Sequence, residues 1–233
     1  LLAVAMMLQM LPMLAFADDA DGTGNAYAVK IAGKDESYAK LEDAVRAASS
    51  GDTIILGEGN YTLYKIDSAD TTKGKNLTFV GKGTDKTFWN IGALVPDPAN
   101  FGTEYNGDYS FDGAGTVTFK NMTLRSGDAD YLGFIRADQT VVDNCVINGK
   151  TFYWGYTSAE FINTTFNAPS GFLIGDYAIW TYSSPTMTFD TCTFNASGKV
   201  INVYTDFGAG KQDITVNFNN CTVNSYSFGK QAL

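Results

Sequence analysis

The 233-residue chain contains no histidine, and this absence removes several kinds of chemistry at once. Catalytic triads that use histidine as the base are excluded, as are zinc sites built from histidine and clustered cysteine. Glycine loops of the type that cradles phosphates are also absent. Catalysis through a histidine base, zinc or a bound nucleotide is therefore not expected.

Basic side chains are scarce as well. The chain has 16 lysines and arginines against 25 acidic residues, a net charge of −9, and its only arginines are Arg46, Arg125 and Arg136. Nucleic acids and anionic membranes are bound by clustered basic residues. Neither is an expected partner, and the acidic surface also favours solubility.

Long apolar runs are missing except at residues 1–17, which end in Ala15-Phe16-Ala17. The small-x-small ending predicts the cleavage site of a signal peptide, and the run is short for a bilayer span and interrupted by Gln9 and Pro12. We expect residues 18–26 to form a polar linker and residues 27–233 a single domain. The missing n-region and the abrupt end after a repeat favour a sequence truncated at both ends, with further domains in the same polypeptide. The expected location is secreted or on the cell surface.

One short phrase is present five times. It starts and ends with an apolar residue and occupies Phe119–Leu124, Val142–Ile147, Phe161–Phe166, Phe189–Phe194 and Phe218–Val223. A recurrent phrase with variable spacing predicts stacked, nearly equivalent units whose loops differ in length.

Within each unit the pattern predicts three short strands, such as 132–136, 140–143 and 145–148 in one unit. Asn121, Asn144, Asn163 and Asn220 share one slot at a corner, with Thr191 as a single replacement, because asparagine tolerates the left-handed conformation of a tight corner. Stacked amides in that slot can hydrogen-bond to one another. The prediction is an all-β fold, a right-handed parallel β-helix with three sheets. An antiparallel sandwich is the alternative.

A short helix is predicted before the first unit. Leu41, Ala44, Val45 and Ala48 recur at helical spacing, and Ser49–Asp52 ends the helix. Placed there, it would cap the open end of the sheets.

The three cysteines, Cys145, Cys192 and Cys221, occupy the same slot of the phrase. An odd number leaves at least one thiol unpaired. We expect free thiols in the core, with a Cys192–Cys221 disulfide as the open alternative, because neighbouring strands lie about 4.8 Å apart. Thr164 occupies this slot in the unit between Cys145 and Cys192, so these two cysteines lie too far apart to form a disulfide.

The segment Tyr38–Leu56, followed by Gly59–Thr62, resembles the opening helix and first coil of right-handed β-helix proteins of the pectin-lyase-like superfamily, and the repeated phrase resembles their coil repeat. The opening segment is also similar to uncharacterised cell-surface, adhesin-like modules of gut Gram-positive bacteria. The resemblance implies the fold. The superfamily contains polysaccharide lyases and hydrolases beside non-catalytic surface proteins, so it leaves the activity open.

Lyases of this superfamily use calcium-binding carboxylates and a basic residue. By this resemblance, the candidates in the chain are Asp128, Asp130 and Arg136, with Asp138 close by. Turn-forming aspartates and an Arg136–Asp138 ion pair are the competing interpretation. Hydrolases of this fold use a Gly-His-Gly segment, which a chain without histidine lacks. We therefore expect no catalytic residues, metal site or cofactor, with calcium as the only ion the resemblance allows.

Aromatic residues recur in successive first-strand positions. Alternation along a strand sends about half of the side chains outward, where rings on consecutive coils would suit stacking on sugar faces. Filling the core is the competing role. The rings predicted to bind a ligand are Trp154, Tyr156, Trp180, Tyr182 and Tyr204.

The resulting expectation is a non-catalytic surface module that is adhesin-like or binds carbohydrate, with a glycan or a host cell-surface molecule as the ligand. The alternatives are a polysaccharide lyase acting on acidic glycans and a structural spacer in a larger surface protein.

Overall fold

The computed structural model describes residues 29–61, 71–90, 94–97, 102–105, 111–125, 134–149, 153–168, 177–181, 186–196, 199–203 and 213–225. The predicted signal peptide and most of the predicted linker and variable loops lie outside these ranges. Every structural statement below concerns the described residues.

The described residues form one helix, α1 (Leu41–Ala47), and many short strands. The strands are, in chain order, β1 (Val29–Ile31), β2 (Ser37–Tyr38), β3 (Thr53–Leu56), β4 (Gly59–Tyr61), β5 (Leu77–Val80), β6 (Thr87–Asn90), β7 (Leu94–Asp97), β8 (Gly102–Tyr105), β9 (Thr116–Lys120), β10 (Thr123–Arg125), β11 (Phe134–Ile135), β12 (Gln139–Asp143), β13 (Val146–Asn148), β14 (Tyr153–Trp154), β15 (Ser158–Ile162), β16 (Thr165–Ala168), β17 (Tyr177–Thr181), β18 (Thr186–Asp190), β19 (Thr193–Ala196), β20 (Lys199–Val203), β21 (Thr215–Asn219) and β22 (Thr222–Ser225).

Two long sheets contain most of these strands. Sheet A runs β2-β1-β3-β5-β9-β12-β15-β18-β21, and sheet B runs β4-β6-β10-β13-β16-β19-β22. From β3 onward their pairings are parallel, so the antiparallel sandwich is wrong and the predicted parallel sheets are confirmed. Three smaller sheets pair β11 with β14 and β17 with β20 in parallel, and β7 with β8 as an antiparallel pair.

The repeated phrase corresponds to the register of the sheets. In sheet A, Phe119 lies opposite Val142, Val142 opposite Phe161, and Phe161 opposite Phe189. These side chains are fully buried, and the Phe161 and Phe189 rings stack with centroids 4.9 Å apart. The phrase therefore places like residues in columns through the core. β3 and β5 also belong to sheet A, and β4 and β6 to sheet B, although their segments do not contain the phrase.

The predicted asparagine corner is confirmed. Asn121, Asn144, Asn163 and Asn220 have φ angles of 45 to 55°, and Thr191 has a φ angle of 56°. The Asn144 Nδ2 donates to Asn121 Oδ1 at 2.8 Å, and the Asn163 Nδ2 donates to Asn144 Oδ1 at 2.9 Å. Each amide therefore stabilises both its own corner and its neighbour's.

The helix lies at one end of sheet A, as predicted. α1 buries Leu41, Ala44 and Val45 and contacts β1 and β2, the strands that extend sheet A beyond β3. These two strands are antiparallel, a pairing that the sequence did not predict. Because β1 pairs with β3, these strands cover the edge of the first parallel strand, and α1 packs against them.

All three cysteines are free, as expected. The thiols of Cys192 and Cys221 donate to the carbonyl oxygens of Phe161 and Phe189, each at 3.4 Å, so they bond to the backbone of the preceding unit. Burial raises the pKa of the Cys145 thiol to about 12 and that of the Cys192 thiol to about 11. Cys221 lies between the last two described strands, β21 and β22, and is only partly buried.

The cysteine column predicts selective thiol labelling. Because thiolate is the reactive form, Cys145 and Cys192 should stay unmodified by an aromatic disulfide reagent at pH 8, while Cys221 reacts. Native protein should quickly release about one equivalent of chromophore. Protein unfolded in urea should release three equivalents, one for each cysteine. The Cys221→Ser variant should lose the fast phase, whereas rapid labelling of the native Cys145→Ser variant at two sites would contradict the burial of Cys192.

Candidate functional site

The five rings predicted to face outward do not behave alike. Trp154 is 2% exposed, and its ring meets the ring of Phe161 edge-on at 5.2 Å. It lies opposite Ile135, which is also buried. The prediction that Trp154 binds a ligand at the surface is therefore wrong, because the register of β14 on β11 turns this position into the core.

Tyr156 does face outward, with 45% of its surface exposed. Within the described ranges, only Tyr156 and Val223 are large apolar or aromatic side chains that are exposed to this degree. The Tyr156 hydroxyl donates to Asp112 Oδ1 at 3.4 Å, which restrains the ring on the surface. Its expected exposure is confirmed, and its role in binding stays a prediction.

The other predicted site residues are only partly visible. Trp180 lies on β17 opposite Asn202, and its side chain is outside the described part of the structure. Tyr182, Tyr204, Asp128 and Asp130 lie outside the described residues altogether. Arg136 lies between β11 and β12 and is half-buried.

The turn that carries Tyr156 is bound closely to the turn of the preceding unit. The Tyr156 amide donates to Ala137 O at 3.0 Å, and the Thr157 amide donates to Asp138 O at 2.8 Å. The Thr157 hydroxyl also donates to Asp138 Oδ1. Gly155 precedes the ring with a φ of 107°, where a β-carbon would lie 3.0 Å from Ser158 O. A fixed backbone thus positions the exposed ring.

We call the surface made by Tyr156, Thr157, Asp112 and Asp138 the Tyr156 patch. It combines an exposed aromatic face with two carboxylates and a hydroxyl near the N-terminal ends of the sheet A strands β12 and β15. Sugar rings present apolar C–H faces and hydroxyl donors, which match an aromatic face and carboxylate acceptors. The two carboxylates also repel anions, so the patch suits a neutral ligand.

The expected lyase residues and possible metal ligands can be located only in part. No group of three or more aspartate, glutamate or cysteine side chains there is arranged to hold a metal ion. The expected lyase residues are represented only by Arg136. No helix among the described residues is both long and apolar enough to cross a bilayer.

The outer face of sheet B carries polar rows that the sequence did not single out as a site. The Nδ2 of Asn167 donates to Asn148 Oδ1, and that of Asn195 donates to Asn167 Oδ1, both at 2.8 Å. The Asn224 Nδ2 donates to Asn195 Oδ1 at 2.9 Å. We call this row the outer amide ladder. The sequence signal for this row is the asparagine that directly follows the phrase in four of its five copies: Asn148, Asn167, Asn195 and Asn224.

Comparison of the chain with protein-family models and with curated proteins finds no match. The function must therefore be argued from the described surfaces.

Proposed function

We propose that the chain is a non-catalytic, glycan-binding module, secreted or displayed on a bacterial cell surface, and that the Tyr156 patch contacts the sugar. The observation that carries this proposal is the exposure of the Tyr156 ring on a backbone fixed by hydrogen bonds. Stacking an already positioned ring on a sugar face costs little conformational entropy.

The proposed architecture is a right-handed parallel β-helix with three sheets. Sheets A and B alternate along the chain from β3 onward, and the pairs β11–β14 and β17–β20 are placed between consecutive sheet B and sheet A strands in the sequence, where a third side would lie. This arrangement fits the resemblance to the pectin-lyase-like superfamily and to adhesin-like surface modules. In such a coil the Tyr156 patch lies at the corner between the third side and sheet A.

The chemistry of the patch favours a neutral sugar. The carboxylates of Asp112 and Asp138 accept hydrogen bonds from hydroxyl groups, as they already do from Tyr156 and Thr157. An acidic sugar would place a third negative charge beside them, in a chain whose net charge is −9. We therefore expect neutral hexoses or N-acetylhexosamines rather than sugar acids at this patch.

Replacing Tyr156 tests the proposal. In a glycan-array screen followed by calorimetry, we expect the Tyr156→Ala variant to bind the best neutral glycan about tenfold more weakly, because it loses the stacking ring. Tyr156→Phe keeps the ring and should stay within about threefold, corresponding to one weak hydrogen bond. Tyr38→Ala is the matched control, since Tyr38 also bonds to a carboxylate, that of Glu36, at the capped end of sheet A.

The alternatives give different results in the same experiment. Equal binding by the Tyr156→Ala variant and the unmodified chain would reject the patch. Release of unsaturated sugar would indicate a polysaccharide lyase, and absence of both binding and release would favour a structural spacer.

A further inference from the structure

The outer face of sheet B, from β13 to β22, is a regular array of two residue types. β16, β19 and β22 each place a threonine and, two residues later, an asparagine on the outer side. The parallel register aligns these residues in two rows that run along the sheet. We call both rows together the Thr-Asn face. The threonine row is Thr165, Thr193 and Thr222, preceded by Val146, and the asparagine row is the outer amide ladder of Asn148, Asn167, Asn195 and Asn224.

The ladder orders the asparagine side chains and leaves part of each amide available. A side-chain amide has two N–H donors and an oxygen that accepts two hydrogen bonds. Asn167 uses one N–H towards Asn148 and one lone pair towards Asn195. Asn195 is bonded in the same way between Asn167 and Asn224. Each of these two amides keeps one donor and one acceptor for a ligand, and binding costs little side-chain entropy because the amide is already positioned.

The threonine row supplies hydroxyl groups beside these amides. In the part of the chain that the structure describes, the hydroxyls of Thr165, Thr193 and Thr222 make no hydrogen bond to the protein. Thr165 and Thr193 are half-buried and Thr222 is exposed, so all three are accessible from solvent. The buried Thr164, by contrast, donates to Ile162 O at 2.9 Å. The outer hydroxyls are therefore available to a ligand.

The Thr-Asn face is uncharged, although the chain has a net charge of −9. The outer residues of the described strands β13, β16, β19 and β22 are threonine, asparagine and one valine. The outer face of sheet A differs, since Lys120 and Asp143 form an ion pair there. Arg125 lies opposite Asn148, but its guanidinium donates to amide oxygens on β4 and β6, away from the face. A carboxylated or sulfated polymer would meet no cation among these outer residues, so a neutral ligand is favoured.

The spacing of the array indicates the shape of the ligand. The rungs repeat at the strand separation of about 4.8 Å, and the threonine and asparagine of one rung lie about 6.6 Å apart along the strand. In a β-1,4-linked chain of hexoses, each sugar advances by a distance similar to the strand separation, and the flat ribbon presents hydroxyl groups along its edges. We propose that the Thr-Asn face binds a linear, neutral, β-linked polysaccharide, which lies along sheet B with one sugar on each rung.

The length of the ligand decides its affinity in this proposal. No aromatic ring lies among the described outer residues of the face, and each rung supplies only a few weak hydrogen bonds. A single sugar should therefore bind too weakly to detect, whereas a chain adds one set of bonds per rung. Because the ladder has four rungs, from Asn148 to Asn224, affinity should increase about threefold with each added sugar and stop increasing beyond the tetrasaccharide.

Titration with β-1,4-linked glucose oligomers, from the disaccharide to the hexasaccharide, tests this length dependence by nuclear magnetic resonance. The isotope-labelled Tyr156→Ala chain is used, so that the Tyr156 patch on sheet A does not contribute and its own success or failure does not affect the result. We expect saturable shifts of the side-chain amide resonances of Asn167 and Asn195. α-1,4-linked glucose oligomers carry the same groups on a coiled chain, and they should bind at least about tenfold more weakly.

A double variant, Thr165→Val with Thr193→Val, tests the hydroxyl row in the same titration. Valine keeps the shape and the β-branching of threonine, so the sheet should be retained. We expect the tetrasaccharide to bind about tenfold more weakly, because two hydroxyls are lost. Thr186→Val is the matched control, since Thr186 is an exposed threonine on the sheet A strand β18 and its replacement should leave binding unchanged.

Three results would overturn the proposal. The first is equal affinity for the disaccharide and the hexasaccharide, the second is equal binding of the α-linked and β-linked oligomers, and the third is unchanged binding by the double variant. Unshifted amide resonances of Asn167 and Asn195 would also reject the face, whatever the Tyr156 patch binds.

Discussion

Replacing Phe189 with alanine is expected to lower the free energy of unfolding by about 3 to 5 kcal/mol, the largest effect of any change considered. Phe189 is fully buried, and its ring stacks between those of Phe161 and Phe218, with centroids 4.9 and 5.0 Å away. It also meets the rings of Phe166 and Phe194 edge-on. Alanine would leave a cavity among four rings that the two sheets cannot close.

Urea unfolding followed by tryptophan fluorescence measures this effect. Phe189→Leu should cost about 1 to 1.5 kcal/mol, because it retains most of the volume and loses the ring contacts. Thr188→Ala is the matched control on the same strand, since Thr188 faces outward and should change stability by about 0.5 kcal/mol or less. Similar losses for Phe189→Ala and Thr188→Ala would show that the column does not form the core.

Replacing Asn144 with alanine is expected to cost about 2 to 4 kcal/mol, the second largest effect. Asn144 has a φ of 52°, which alanine adopts only with strain. Its amide also donates to Asn121 and accepts from Asn163, so the variant leaves one unpaired acceptor and one unpaired donor. The expected loss of stability therefore combines the backbone strain of alanine at positive φ with the loss of two hydrogen bonds.

The Asn144→Gly variant separates these contributions. Glycine adopts positive φ without strain, so it should lose only the two amide bonds and the glycine entropy, and it should be more stable than Asn144→Ala by about 1 kcal/mol. Asn217→Ala is the control, because Asn217 is an exposed strand asparagine whose amide donates to Thr188 at 3.4 Å. A loss in Asn144→Ala no greater than in Asn217→Ala would contradict the role of the corner.

The sequence predicted the strands of the later units to within one or two residues. Strands predicted at 140–143 and 145–148 are β12 (Gln139–Asp143) and β13 (Val146–Asn148). These predictions are accurate because strand alternation and positive φ at a corner are local properties, which depend on the types of a few neighbouring residues. The same locality explains why the cysteine slot was recognised as part of the core.

The candidate sites were predicted less well, for a different reason. β14 (Tyr153–Trp154) has two residues, too few for alternation to show which side chain faces inward. Trp154 is buried because of its pairing with β11, and Tyr156 is exposed because the positive φ of Gly155 interrupts the strand alternation between them. The sequence named both rings and had no means of distinguishing them.

The sequence alone determined the repeat, the parallel register, the asparagine corner and the capping helix, since these depend on residue type at fixed local spacing. Only the tertiary structure decided which side chains outside the repeated phrase meet across units. Arg125 reaches Asn90 and Asn60, which are 35 and 65 positions away, and the Tyr156 hydroxyl reaches Asp112 at 44 positions. Loops of unequal length separate these residues in the sequence, and the stacking of strands brings them together.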